Sequence, residues 1–133
     1  MRKPIRVAAQ AIGALVIGAL AVMRARSRWF PVRVEGTSML PTLHPGDFLA
    51  VRAPRIGEPH AGQIVVIRHG HIETVKRVIA VPGERALEAD QLWVEGDNTA
   101  ASTDSRSTGP IARGAIAGVV RARYKPLRAV RTF

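Results

Sequence analysis

The sequence predicts a mainly β protein, a small antiparallel and partly closed β-barrel-like domain behind one N-terminal transmembrane helix. Short Val- and Ile-rich runs recur along the chain, separated by Pro and Gly, which is the punctuation of strands rather than helices. Pro45-Gly46, Pro82-Gly83 and the Gly70 of Arg68-His69-Gly70-His71 supply the turns between them. A single long apolar stretch, residues 7–23, stands apart from this pattern, with Gln10 as its only strongly polar residue.

As a helix that stretch rises about 25 Å, a little less than the ~30 Å of a bilayer's hydrocarbon core. Arg2, Lys3 and Arg6 before it and Arg24, Arg26 and Arg28 after it can reach the headgroups on either side and close the gap. The rival reading is a cleaved secretory signal ending near Ala19-Leu20-Ala21. The arginines directly behind the stretch oppose cleavage and export, so a retained anchor is expected over residues 1–28 and a folded domain over 29–133. Basic residues balance on the two sides, so charge does not set the orientation. Trp29 and Phe30 come next, as an aromatic interface anchor or as core residues.

The Val- and Ile-rich runs predict strands over 32–34, 48–52, 63–68, 72–81, 91–94 and 116–123. One helical turn is expected over 40–43, with no other helix beyond the anchor, and 52–61 reads as a surface loop. Behind the anchor roughly 100 residues remain, enough for one small core and too few for two.

The chain carries 20 Lys and Arg against 10 acidic residues, a net charge of +10, suited to anionic lipid or nucleic acid. The charges cluster beside the apolar stretch and in a tail (Arg121, Arg123, Lys125, Arg128, Arg131), which points to membrane lipid. No nucleic-acid-binding pattern accompanies them, so no nucleic-acid partner is expected. Absence of cysteine excludes a thiol nucleophile, a disulfide and a Cys-based zinc site. The histidines His44, His60, His69 and His71 come with no carboxylate cluster, so neither a metal nor any other cofactor is expected.

Three blocks carry chemistry. The first, Gly36-Thr37-Ser38-Met39-Leu40-Pro41-Thr42-Leu43, exposes one hydroxyl in a tight turn after a strand. The second, Lys76-Arg77-Val78-Ile79-Ala80-Val81-Pro82-Gly83, sets a lysine among β-branched neighbours. A serine hydroxyl is a poor nucleophile and needs a positioned proton acceptor; a lysine serves once burial disfavours its charged form. The third block runs from Gly96-Asp97-Asn98 through Ser102, Asp104 and Arg106 to Gly109. Taken alone, Lys76 could be a strand lysine facing solvent, and Gly96-Asp97-Asn98 an ordinary turn.

Together and in this order the blocks resemble those of the signal peptidase I family of Ser/Lys endopeptidases. The resemblance covers residues 30–125 and is nearest the compact members, including the mitochondrial inner-membrane peptidases. It implies Ser38 as nucleophile and Lys76 as general base. It implies Met39 lining the site, Ser102 orienting the lysine, an Asp104–Arg106 ion pair bracing the loop, and Asp97 and Asn98 in the same supporting loop. Ser105 and Ser107 read as ordinary loop hydroxyls.

Gly36 stands where some members have a serine that helps bind the oxyanion, which leaves that task to the Ser38 backbone N–H and a neighbour such as Thr37. Only residues 84–95 separate the second and third blocks, so the large inserted domain of bigger members is absent. The resemblance further implies a single-pass membrane protein with its catalytic domain on the extracytoplasmic side. Its partners would be membrane lipids and precursor proteins with signal peptides, and a partner subunit is left open. Two alternatives remain: a dedicated maturation peptidase for one substrate, such as a nickel superoxide dismutase or pilin precursor, and a catalytically silent, basic, membrane-anchored binding module.

Overall fold

A computed structural model describes residues 13–22, 28–126 and 130–133. Eight strands form it: β1 (Trp29–Arg33), β2 (Phe48–Arg52), β3 (Ile64–His69), β4 (Ile72–Ala80), β5 (Gln91–Glu95), β6 (Ile111–Ala112), β7 (Ile116–Lys125) and β8 (Arg131–Thr132). Every pairing is antiparallel, in the order β1-β2-β7-β3-β4-β5-β6, with β8 beside β7. The mainly β, antiparallel expectation holds. The barrel-like closure does not: the order begins at β1 and ends at β6 without those two pairing, so the sheet is open.

Six of the strands lie where the alternation of apolar residues put them. The short β6 and β8 were not expected, because two residues carry no periodicity. Around 40–43 the chain makes one α-like turn, closed by the Leu43 N–H donating to the Met39 carbonyl at 2.9 Å. A helical turn that the sequence did not predict, α2 (Ser105–Thr108), is capped by the Asp104 side chain. Its Ser and Thr residues have weak helix propensity, so the cap and the packing fix it rather than composition.

Helix α1 occupies residues 13–22, and residues 14–22 are exposed. Among the described residues no helix is long and apolar enough to cross a membrane; the rest of the expected anchor, with Arg24 and Arg26, lies outside them. Trp29 is exposed on β1, whereas Phe30 packs against the core. Of the basic residues grouped as a tail, Arg121 and Arg123 fall in the strand expected over 116–123, which continues as β7 to Lys125 between β2 and β3; Arg131 is on β8, and Arg128 lies outside the described residues.

Two apolar clusters hold the sheet together. One gathers Val32, Val34, Met39, Leu43, Leu49, Val51, Ile64, Val66 and Val120. The other gathers Val65, Ile67, Val78, Leu92, Val94, Ile116 and Val119. The 39–43 turn drops Met39 and Leu43 into the first cluster, and that anchorage fixes where the preceding residue, Ser38, comes to rest. The 52–61 loop runs over the surface yet is pinned, because buried Arg52 grips both Glu58 carboxylate oxygens, at 2.9 and 2.8 Å.

Candidate active site

Ser38 follows a turn that only glycine enters easily. Gly36 has φ +75°, a left-handed conformation in which a Cβ is strained, so the glycine has a backbone reason to stand there. Two core strands later, Lys76 lies on β4 opposite Val65 of β3 and is only 6% exposed. Ser38 and Lys76 border one cavity of about 400 Å³, with Val32, Arg33 and Glu35 on one wall and His71, Glu73, Thr74 and Val75 on the other.

The lysine amine donates to the Ser102 hydroxyl at 3.0 Å. That hydroxyl in turn donates to Asp104 Oδ2 at 2.6 Å. The same carboxylate accepts the Gly96 N–H at 2.8 Å and the Arg106 guanidinium through Nη2 at 2.6 Å and Nε at 2.9 Å. Since the Ser102 proton is committed to Asp104, Ser102 can only accept from the amine. A neutral Lys76 then keeps its lone pair for some other donor.

Electrostatics favours that neutral form. Burial pushes the Lys76 amine below its ordinary value; nearby Asp104 opposes the shift and Arg106 assists it. Asp104 itself is held well below the usual carboxylate range, first by the Arg106 hydrogen bond and then by Ser102, Gly96 and the Arg106 backbone, against the pull of burial. Arg106 therefore offsets the charge that would otherwise hold a proton on Lys76.

The Gly96-Asp97-Asn98 segment binds the serine turn to this chain. Asn98 donates from its backbone N–H to the Ser38 carbonyl at 2.9 Å and from Nδ2 to the Thr37 carbonyl at 3.0 Å. Gly96 is buried, and a Cβ on it would run into the Ser38 carbonyl and the Ser102 hydroxyl at once. Three separated stretches of sequence thus meet within one residue's width.

This meeting of serine turn, strand lysine and Ser-Asp-Arg loop coincides with a match to a family model described as signal peptidase, peptidase S26, over residues 7–87 and 83–125. The chain belongs to the S26 signal peptidase family. It is 37% identical to signal peptidase I S of Bacillus subtilis (strain 168), across 62% of this chain and 47% of that protein. With signal peptidase I T of the same organism it shares 41% identity, across 65% of this chain and 48% of that protein. With the mitochondrial ATP-independent inner membrane protease subunit 1b of Arabidopsis thaliana it shares 36%, across 74% of this chain and 72% of that protein. It spans about half the length of the two bacterial relatives.

Not every residue expected around this S26 site lies at it. Ser102, Asp104 and Arg106 form the hydrogen-bonded chain behind Lys76, and Asn98 holds the serine turn. Met39 is instead buried in the core beneath Ser38, 1% exposed. Asp97 turns away to Arg77, at 2.7 and 2.9 Å, and accepts from the Thr42 hydroxyl; it ties β4 to the 39–43 turn. Its carboxyl lies below the ordinary value because Arg77 and Thr42 together outweigh burial, the largest single influence.

Ser105 is not an ordinary loop hydroxyl: it is buried and accepts the Val94 N–H at 3.0 Å, joining α2 to β5. Ser107 only closes its own turn, donating to the Asp104 carbonyl. Sequence reasoning missed Arg77, although its place next to Lys76 on a strand sends it to the opposite face. It also missed the close approach at Gly96, for which a turn glycine gives no signal. None of the four histidines belongs to a cluster able to hold a metal ion among the described residues.

Proposed function

We propose that the chain is a membrane-anchored serine endopeptidase that removes signal peptides from exported precursors, with Ser38 as nucleophile and Lys76 as general base. One observation carries the reading: a buried lysine, pushed toward its neutral form by desolvation, borders the same cavity as a half-buried serine in a turn. Lys76 takes the Ser38 proton as Oγ attacks the scissile carbonyl, and returns it to the leaving amine; water, deprotonated by the same lysine, then hydrolyses the acyl-enzyme. Ser102 fixes the amine's orientation. Among the described residues the Ser38 N–H donates to no group, which suits it to stabilising the oxyanion.

The substrate's place is supported by two unpaired strand edges. Among the described residues β1 pairs only with β2, and β4 pairs with β5 only from Arg77 onward, so 72–76 has one free side. Both edges border the cavity, and an extended peptide between them would complete the hydrogen bonding. Residues 7–23 serve as anchor, keeping this groove at the outer membrane surface beside substrates held in the same bilayer.

The deciding experiment incubates purified full-length protein in detergent with a peptide bearing a small-x-small cleavage motif. Cleavage is expected, with loss of about 10³-fold or more in Ser38→Ala. Undiminished cleavage by that variant sinks the assignment. No cleavage by either protein favours the silent binding module.

A further inference from the structure

The groove wall beside Ser38 carries charge that the proposed chemistry does not use. Along 31–35 the chain alternates, with Val32 and Val34 buried and Pro31, Arg33 and Glu35 exposed. Arg33 and Glu35 both border the cavity shared by Ser38 and Lys76. Neither side chain has a hydrogen-bond or ion-pair partner among the described residues. Glu73 on the opposite wall differs, because Arg68 already holds its carboxylate.

Resting on the peptidase reading, we infer that Arg33 and Glu35 select substrates of alternating charge: a basic side chain against Glu35, nearer the scissile bond, and an acidic one against Arg33, two residues farther off. An extended peptide repeats every two residues, as 31–35 does, so side chains two apart fall on the face that carries Arg33 and Glu35. The intervening side chains fall on the other face, the one that carries the buried Val32 and Val34. Opposite charges directly across a strand pair attract and like charges repel, and the groove's open side keeps each attraction modest and sensitive to salt. The result is a preference layered on a small-residue motif.

Three fluorogenic peptides with one small-x-small motif test this, using full-length protein in detergent. One carries Lys nearer the bond and Asp two residues farther; the second reverses them; the third has Ala at both positions. At low salt the matched peptide is expected to be cleaved about tenfold more efficiently than the reversed one, with Ala between them and the gap shrinking as salt rises. The double exchange Arg33→Glu with Glu35→Arg, both exposed, is expected to invert the order. Equal cleavage of all three within about twofold, or an unchanged order in a folded exchange variant, overturns the charge inference while leaving the peptidase reading intact, provided the Ala peptide is cut and Ser38→Ala stops it. Failure to cut any of the three overturns both.

Discussion

Arg52 and Lys76 are both basic side chains buried in this sheet, 4% and 6% exposed, and their surroundings differ in one respect. Arg52 meets a carboxylate, with both Glu58 oxygens on its Nη2. Lys76 meets a hydroxyl, and the carboxylate behind that hydroxyl is already engaged by Arg106. A buried charge without a counter-charge is costly and a lysine escapes the cost by losing its proton, whereas a guanidinium does not. Arg52 therefore fastens a loop, whereas Lys76 is pushed toward its neutral form.

The largest effect separates the two sites by exchanging their basic side chains. Lys76→Arg puts a permanent cation in place of the group that can accept a proton, so signal-peptide cleavage should fall about 10³-fold or more. Arg52→Lys should leave kcat/KM near wild type, since Arg52 sits away from the groove. Retention of cleavage in Lys76→Arg would break the comparison, because a permanently charged side chain cannot serve as the base.

Next comes stability. Glu58→Gln leaves Arg52 buried without its counter-charge and should cost about 3 kcal/mol in denaturant unfolding, with little effect on cleavage. The Glu58 carboxyl lies below its ordinary value of 4.5: burial is the largest influence and raises it, but the Arg55 N–H and Arg52 together outweigh burial. A depressed carboxyl contributes stability above its unfolded pKa and loses it as pH falls through the folded value. Part of the acid destabilisation below pH 4.5 should therefore be missing from Glu58→Gln. A variant that unfolds in acid just as the wild type does would show that Arg52 and Glu58 contribute nothing as a pair.

The sequence foretold one of these sites better than the other, for physical reasons. Strands β2, β3 and β4 were legible because their apolar residues repeat along a pleated, buried surface. Lys76 was legible through its place in the three ordered blocks, because taken alone it reads as a strand lysine facing solvent. The Arg52–Glu58 grip was not, since a charged pair in a loop looks the same whether it is solvated or buried. Sheet closure was misjudged because hydrophobic alternation tells which face is inward and says nothing about whether the edges meet. Met39 was misplaced for a similar reason: a motif fixes proximity along the chain, while the 39–43 turn decides which side chain points at the cavity.

The smallest effect probes how Lys76 keeps its neutral form. Its amine titrates below 10.5, chiefly through burial, so the rising limb of kcat/KM should lie below that value. Between the depressed value and 10.5 the unfolded chain binds the extra proton, so Lys76 makes the folded state gain stability as pH rises through that window. Asp104 pulls toward the charged form and Arg106 against it. Arg106→Gln removes the opposing charge and leaves Asp104 unbalanced, which should raise the lysine's pKa and move the limb to higher pH. Arg106→Lys, which keeps the charge, should restore most of the original position. Activity lost equally at every pH would mark Arg106 as a brace for α2 alone. A limb that moves with the charge at position 106 marks it as the group that lets a buried carboxylate lie behind a neutral amine.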